Sequence, residues 1–172
     1  MPENRANTPL GHRTVREGAI AGALGATVVA AWFLVIDALQ TSAFHTPRLL
    51  GEALMRAIGW DPFLGQAGPV ILYTLVHYAA FAVLGMIAVL VVHASFKEPT
   101  LLLGLLMVFV MAQVAIYMYI LLLDIALLGQ IAWLQIGLAN VMAALAMGRY
   151  LWWRHPGVER HLLEGLSGRG AN

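Results

Sequence analysis

The run GAIAGALGATVVAAWFLVIDALQTSAFHTP, Gly18–Pro47, decides how this chain folds. Between Gly18 and Gln40 it carries a single charge, Asp37, close to the far end. A helix needs about 20 mostly apolar residues to cross a bilayer, so this stretch predicts a membrane span. Arg13 and Arg16 precede it, and Thr41-Ser42-Ala43 after it has the small-residue character of a cleavage site. That arrangement is also found in signal peptides, but their apolar cores run only about 7–15 residues. The stretch therefore reads as a retained anchor.

Working outward, the same character covers the chain. Of 172 residues, 60% are hydrophobic and 11% charged, where soluble domains carry about a quarter charged. Three further apolar segments follow, at 70–94, 100–127 and 130–153. Pro62 and Gly68-Pro69, then Lys97-Glu98-Pro99, then Leu128-Gly129 separate them, each a break of ordinary turn chemistry. The last break is short enough to predict a tight hairpin, with one continuous helix as the alternative. The predicted fold is all-α: a four-helix transmembrane bundle over 18–153, a cytoplasmic tail at 1–17 and another at 154–172. In the second tail, 158–166 has room for a short surface helix.

The net charge is +1 and there is no cysteine. The first gives no reason to expect nucleic acid as a partner. The second excludes disulfides, thiolate nucleophiles, thiolate-held iron–sulfur clusters and c-type haem attachment. No Ser or Lys is set beside a base as a nucleophile, which weighs against a hydrolase.

Orientation follows from the basic residues. With both termini in the cytoplasm, that side holds Arg5, Arg13, Arg16, Lys97, Arg149, Arg154, Arg160 and Arg169, and the outer loops hold only Arg48 and Arg56. Tyr150, Trp152 and Trp153 then fall at the inner interface, and Trp60 and Trp133 near the outer one, as an aromatic belt requires.

Helix periodicity sorts the remaining residues. Gly18, Gly22, Ala26 and Ala30 recur every four positions, a small-residue stripe that allows close helix approach. Asp37 returns to nearly the face of Ala30 and should point into the bundle. Gln113, Tyr117 and Asp124 form a polar stripe on the third segment. His77 shares a face with Phe81 and Gly85, and Asn140 one with Gly137 and Ala144, with Gln130 nearby at the start of that helix. Together with His45 of the outer loop, these predict a polar cluster in the outer half of the bundle: Asp37, His45, His77, Gln113, Tyr117, Asp124 and Asn140. The inner half reads as almost purely apolar.

The outer loop should carry a short amphipathic surface helix over 47–58. Thr46 is placed to cap it and Pro47 to begin it. Leu50, Leu54 and Ile58 would form its apolar stripe, Glu52 and Arg56 an i,i+4 pair, and Gly59 its stop. Asp37 has two readings, as acceptor for this loop or partner of Arg48, and as a proton- or metal-binding carboxylate. His77 should bond Asn140, Gln113 or Tyr117. A two-histidine haem lacks a second histidine on a facing helix. A single-histidine haem, or a divalent metal held by Asp37, His45, His77 and Asp124, has the ligand types but no compact motif. No cofactor is therefore predicted.

The stretch GAIAGALGATVVAAWFLVIDALQTSAFHTPRLLGEAL resembles the opening of a group of small, uncharacterised bacterial multi-helix membrane proteins. The likeness rests on the glycine-rich first helix, Trp32-Phe33-Leu34 with Asp37, and Thr46-Pro47 with Leu50-Gly51. Thr41-Ser42-Ala43 departs from it, standing where that group has a glycine. The resemblance covers about the first third of the chain and implies a topology in the bacterial inner membrane without an activity. The function expected is a structural or accessory component of a larger respiratory or transport complex, with the bilayer and other membrane subunits, or a second copy, as partners. The other class is a redox or ion-handling protein using the outer polar cluster.

The asymmetry of basic residues has a direct test. A reporter active only in the cytoplasm should work when fused after Asn172, and activity of an export-dependent reporter there would reverse the orientation.

Overall fold

The computed structural model describes residues 12–40, 42–60, 65, 67–95 and 129–155, together with ten helical positions within 104–118. Every regular element among them is helical. Four are continuous: α1 (His12–Gln40), α2 (His45–Ile58), α3 (Ala67–Ser95) and α4 (Gly129–Arg154). α1 and α3 are long and apolar enough to cross a membrane. The segment breaks at Lys97-Glu98-Pro99 and Leu128, Asp124 and the tail helix at 158–166 lie outside the described residues.

α1 is the helix on which the others assemble. Its Gly18–Gly22 face meets α3 in antiparallel register. A Cβ on Gly18 would strike the backbone of Met86, one on Gly22 the Phe81 carbonyl and the Ala82 Cα, and one on Gly85 the Gly18 carbonyl and the Gly22 backbone. The two backbones touch, which only glycine permits. A second face of α1 meets α4. Ala21 clusters with Leu151, Val89 and Val92, a Cβ on Gly25 would meet the Met147 sulfur, and Val29 packs with Ala139 and Ala143. These pairs run in opposite directions along the two helices, so α4 is also antiparallel to α1.

The predicted small-residue stripe needs one correction. Gly18, Gly22 and Ala26 are buried, but Ala30 is exposed. A step of four residues advances about 400° around the axis, so each step drifts about 40°. By Ala30 the drift has carried the position off the contact face, and Val29 takes its place. Asp37 remains buried, at 4% exposure, because the start of α2 covers it.

Between 104 and 118 the described positions are helical, and two bonds fix their relation to α4. Asn140 donates to Gln113 Oε1, and the Tyr117 hydroxyl donates to the Trp133 carbonyl at 3.2 Å. In one continuous helix, positions 27 apart would lie about 40 Å from each other. The two segments are therefore antiparallel, and the continuous-helix alternative is excluded.

α2 begins two residues before the Pro47 start that the sequence predicts. It ends at Gly59 in the left-handed region at φ 68°. There Gly59 N–H donates to Arg56 O and Trp60 N–H to Met55 O, so the closing carbonyls are satisfied in a Schellman arrangement. The predicted stripe is only half right. Leu50 and Leu54 are partly buried, while Ile58, in the last turn, is 55% exposed. The fully buried positions flank that stripe: Gly51 and Met55 on one side, Thr46 and Ala53 on the other. Gly51 explains the tilt, since a Cβ there would run into the Pro69 backbone, letting α3 approach that flank. The ion pair also differs. Arg48, not Arg56, holds Glu52, at 3.0 Å, an exposed pair of about 0.3–0.5 kcal/mol.

The glycine contact generates a stability test. Gly22→Leu sets a side chain against backbone that cannot move aside, so it should cost more than the roughly 1–3 kcal/mol of ordinary overpacking. Leu90→Ile, at a position 43% exposed, should leave the melting temperature in detergent unchanged. Equal melting of the two variants would remove the α1–α3 contact from this account.

Candidate functional site

The predicted outer cluster resolves into separate pairs. The first is the Asp37 carboxylate in the last turn of α1. Its Oδ2 accepts from Thr46 N–H and its Oδ1 from the Thr46 hydroxyl, both at 2.7 Å and both buried. A helix start leaves amides without intrahelical acceptors, and in α2 those of the first turn are all accounted for. Phe44, left-handed at φ 68°, is the N-cap and makes no side-chain cap bond. His45 N–H donates to Ser42 O at 3.0 Å, Thr46 N–H goes to Asp37, and Pro47 has no N–H. Arg48 N–H then makes the first helical bond, to Phe44 O. Asp37 thus caps α2 from another helix, and its negative charge lies where the α2 dipole favours one. Thr46 acts as a donor to that carboxylate, not as the capping acceptor that the sequence suggests. His45 is exposed, and Arg48 is engaged with Glu52.

The second is His77, in the middle of α3. Its Nε2 lies 3.1 Å from the Ala26 carbonyl of α1. The ring stacks on Tyr73 with centroids 5.5 Å apart and tilts against Phe81 at 4.8 Å. The expected partners were side chains of the third and fourth segments, but the glycine contact brings α1 closer than either. Ala26 and Asp37 are eleven residues apart on one helix, so His77 and Asp37 are separated by about 16 Å. They cannot share a metal ion. Gln113 and Asn140 bond each other, and Tyr117 lies against Trp133 with ring centroids 4.8 Å apart. The Gln130 side chain, like Asp124, lies outside the described residues.

Beside α2 is an open groove of about 690 Å³, lined by Phe44, His45, Arg48, Glu52, Val70 and Ile71 among others. It contains the Arg48–Glu52 pair and the exposed His45, with no buried acid or base among these residues.

The end of the bundle opposite α2 holds residues that the sequence reading passed over. Glu17 of α1, 15% exposed in its side chain, sits among three cationic or imidazole groups. Arg154 Nη2 is 3.5 Å from its Oε1, while His155 Nε2 at 3.3 Å and His93 Nε2 at 4.0 Å face its Oε2. The two imidazoles are in edge-to-face contact, with centroids 5.0 Å apart. A histidine of α3 and one just past the end of α4 thus meet, which the sequence pattern does not anticipate. Helix polarity accounts for the grouping. α1 starts here, favouring a carboxylate, and α3 and α4 end here, favouring basic side chains. The signal in the sequence was the antiparallel register, which sets Glu17 near the C-terminal turns of both neighbours.

The Asp37–Thr46 pair yields a graded prediction. Asp37→Asn keeps one carbonyl for Thr46 N–H and should cost about 1–2 kcal/mol, since bonds to a charged acceptor are worth about 1.5–3 kcal/mol. Asp37→Leu leaves both Thr46 donors unsatisfied in a buried place and should melt lower still. A melting temperature for Asp37→Asn equal to or above wild type would contradict a capping role. Searches of protein families, curated proteins and solved structures find nothing that matches this chain.

Proposed function

We propose that this chain is a small polytopic integral membrane protein serving as a structural or accessory component of a larger membrane complex. The observation that carries the membrane part is the outward face of α1 and α3. Only 28% and 22% of their most apolar windows are buried, where the core helix of a soluble protein would be mostly covered. Leu34, Val35 and Leu39 of α1 and Leu75, Val76, Val83 and Leu90 of α3 all face outward. A bilayer accepts such faces, and water does not.

The non-enzymatic part rests on how the polar residues are used. Asp37, His77, Gln113, Tyr117 and Asn140 each bond a neighbouring helix, with Gln113 and Asn140 bonding each other. Buried polar groups of a membrane bundle behave this way when they hold helices together. The rival redox or ion-handling use of the outer cluster would need these groups to converge. In this reading four helices span the inner membrane, both termini are cytoplasmic and α2 lies on the outer surface. The antiparallel order of α1, α3, the 104–118 segment and α4 supports that topology.

Extraction in a mild detergent followed by native mass spectrometry tests the role. The protein should appear in a species well above its own 18.6 kDa, with a second membrane polypeptide or another copy at fixed stoichiometry. A monodisperse monomer, or a Soret band in its absorbance, would overturn the accessory reading.

A further inference from the structure

We propose that Glu17, His93 and His155 bind a divalent transition-metal ion of the zinc class at the end of the bundle where α1 begins and α3 and α4 end. The inference does not depend on the accessory role and uses none of the residues of the predicted outer cluster.

The geometry is close to that of a coordination shell. One donor atom from each residue can be chosen so that all three lie within 4.8 Å of one another. A tetrahedral ion with bonds of about 2.0–2.2 Å sets its donors roughly 3.3–3.5 Å apart. His155 Nε2 is already 3.3 Å from Glu17 Oε2. His93 Nε2, at 4.0 Å, needs to close by on the order of half an ångström to reach that spacing. Its side chain is 38% exposed, so it has room to turn. Both imidazoles present Nε2 to the same carboxylate oxygen, and Arg154 occupies the other one. That division leaves Oε2 available to an ion and anchors the carboxylate from behind, as a hydrogen-bond partner of a ligand does in metal sites.

Two of the three helix ends at this place favour a cation. The C-terminal turns of α3 and α4 both point partial negative charge at this place. The His155 Nε2 atom is buried, so an ion there is shielded on one side, while the exposed edge of His93 admits water to a fourth position. Two imidazoles and one carboxylate suit zinc, ferrous iron or cobalt. Magnesium and calcium prefer all-oxygen shells. Because the donors come from α1, α3 and the residue that follows α4, the bound ion would tie those three helices at one end.

The test uses the full chain purified in detergent, stripped with a chelator, dialysed against zinc chloride and freed of excess. Metal analysis should find stoichiometric zinc, and zinc should raise the melting temperature, because an ion that binds only the folded state stabilises it by mass action. His93→Ala and His155→Ala should each weaken retention by at least about tenfold, while His45→Ala, at the opposite end, should retain it fully. Should His155→Ala not fold by circular dichroism, the partly exposed His93→Ala decides alone. Arg154→Gln distinguishes a metal site from a cluster that only pairs charges. It removes the residue that anchors Glu17 but no donor, so it should weaken zinc retention less than either histidine variant does. No zinc on the wild-type protein, or equal zinc on His93→Ala, would overturn the site.

Discussion

The backbone contact between α1 and α3 at Gly18, Gly22 and Gly85 is the constraint on which the other features depend. Once two helix backbones touch, their rotation and register are set together, because no side chain stands between them to be repacked. The register can be followed along the interface. Gly18 meets Met86, Gly22 meets Phe81 and Ala82, Ala26 meets His77, and Thr27 meets Tyr78 through their hydroxyls at 3.0 Å. From Gly18 through Gly22 to Ala26, each four-residue step up α1 goes with a step of four or five residues down α3. A shift by one residue would move the Ala26 carbonyl from beneath the His77 ring and turn Glu17 away from His93.

His77 illustrates what such closeness allows. A carbonyl inside a helix already accepts one backbone bond and keeps a second lone pair. An imidazole can reach that lone pair only where the facing helix has no bulky side chains. In apolar surroundings an unmade hydrogen bond is costly, so a histidine at this depth needs such a partner. The ring then fills space between Tyr73 and Phe81. The glycines and the histidine are thus parts of a single interface, although only the glycines advertise it.

What could be read in the sequence follows this division. The long apolar helix α1, the close approach at Gly18 and Gly22, and the return of the outer loop towards Asp37 were legible, because each rests on local spacing. Ala30 was misplaced because a four-residue repeat drifts around a 3.6-residue helix, and the drift matters only once the partner's position is known. The partner of His77 was not legible, because a backbone carbonyl has no residue type to give it away. Glu17, His93 and His155 were missed for a third reason. They lie far apart in the chain and near helix boundaries, so Glu17 looked like part of one tail and His155 like part of the other. The α2 face was half legible. Leu50 and Leu54 pointed the right way, but Gly51 let α3 approach one flank of the stripe.

α1 is consequently held at three heights by three different kinds of interaction. Glycine backbone contact acts along its first half and needs no polar group. At one end Glu17 draws in the basic ends of α3 and α4, an arrangement that follows from helix polarity. At the other end Asp37 holds the start of α2, supplying acceptors that the first turn of that helix lacks. The two carboxylates thus do opposite things to helix ends. Glu17 sits near the start of its own helix and gathers the C-terminal turns of its neighbours. Asp37 sits in the last turn of its own helix, where the dipole disfavours a negative charge, and it can stay there because the N-terminus of α2 is brought against it. That compensation explains why α2 starts where it does. Pro47 removes one amide and Ser42 accepts another, so the single acceptor still missing is the one that Asp37 provides.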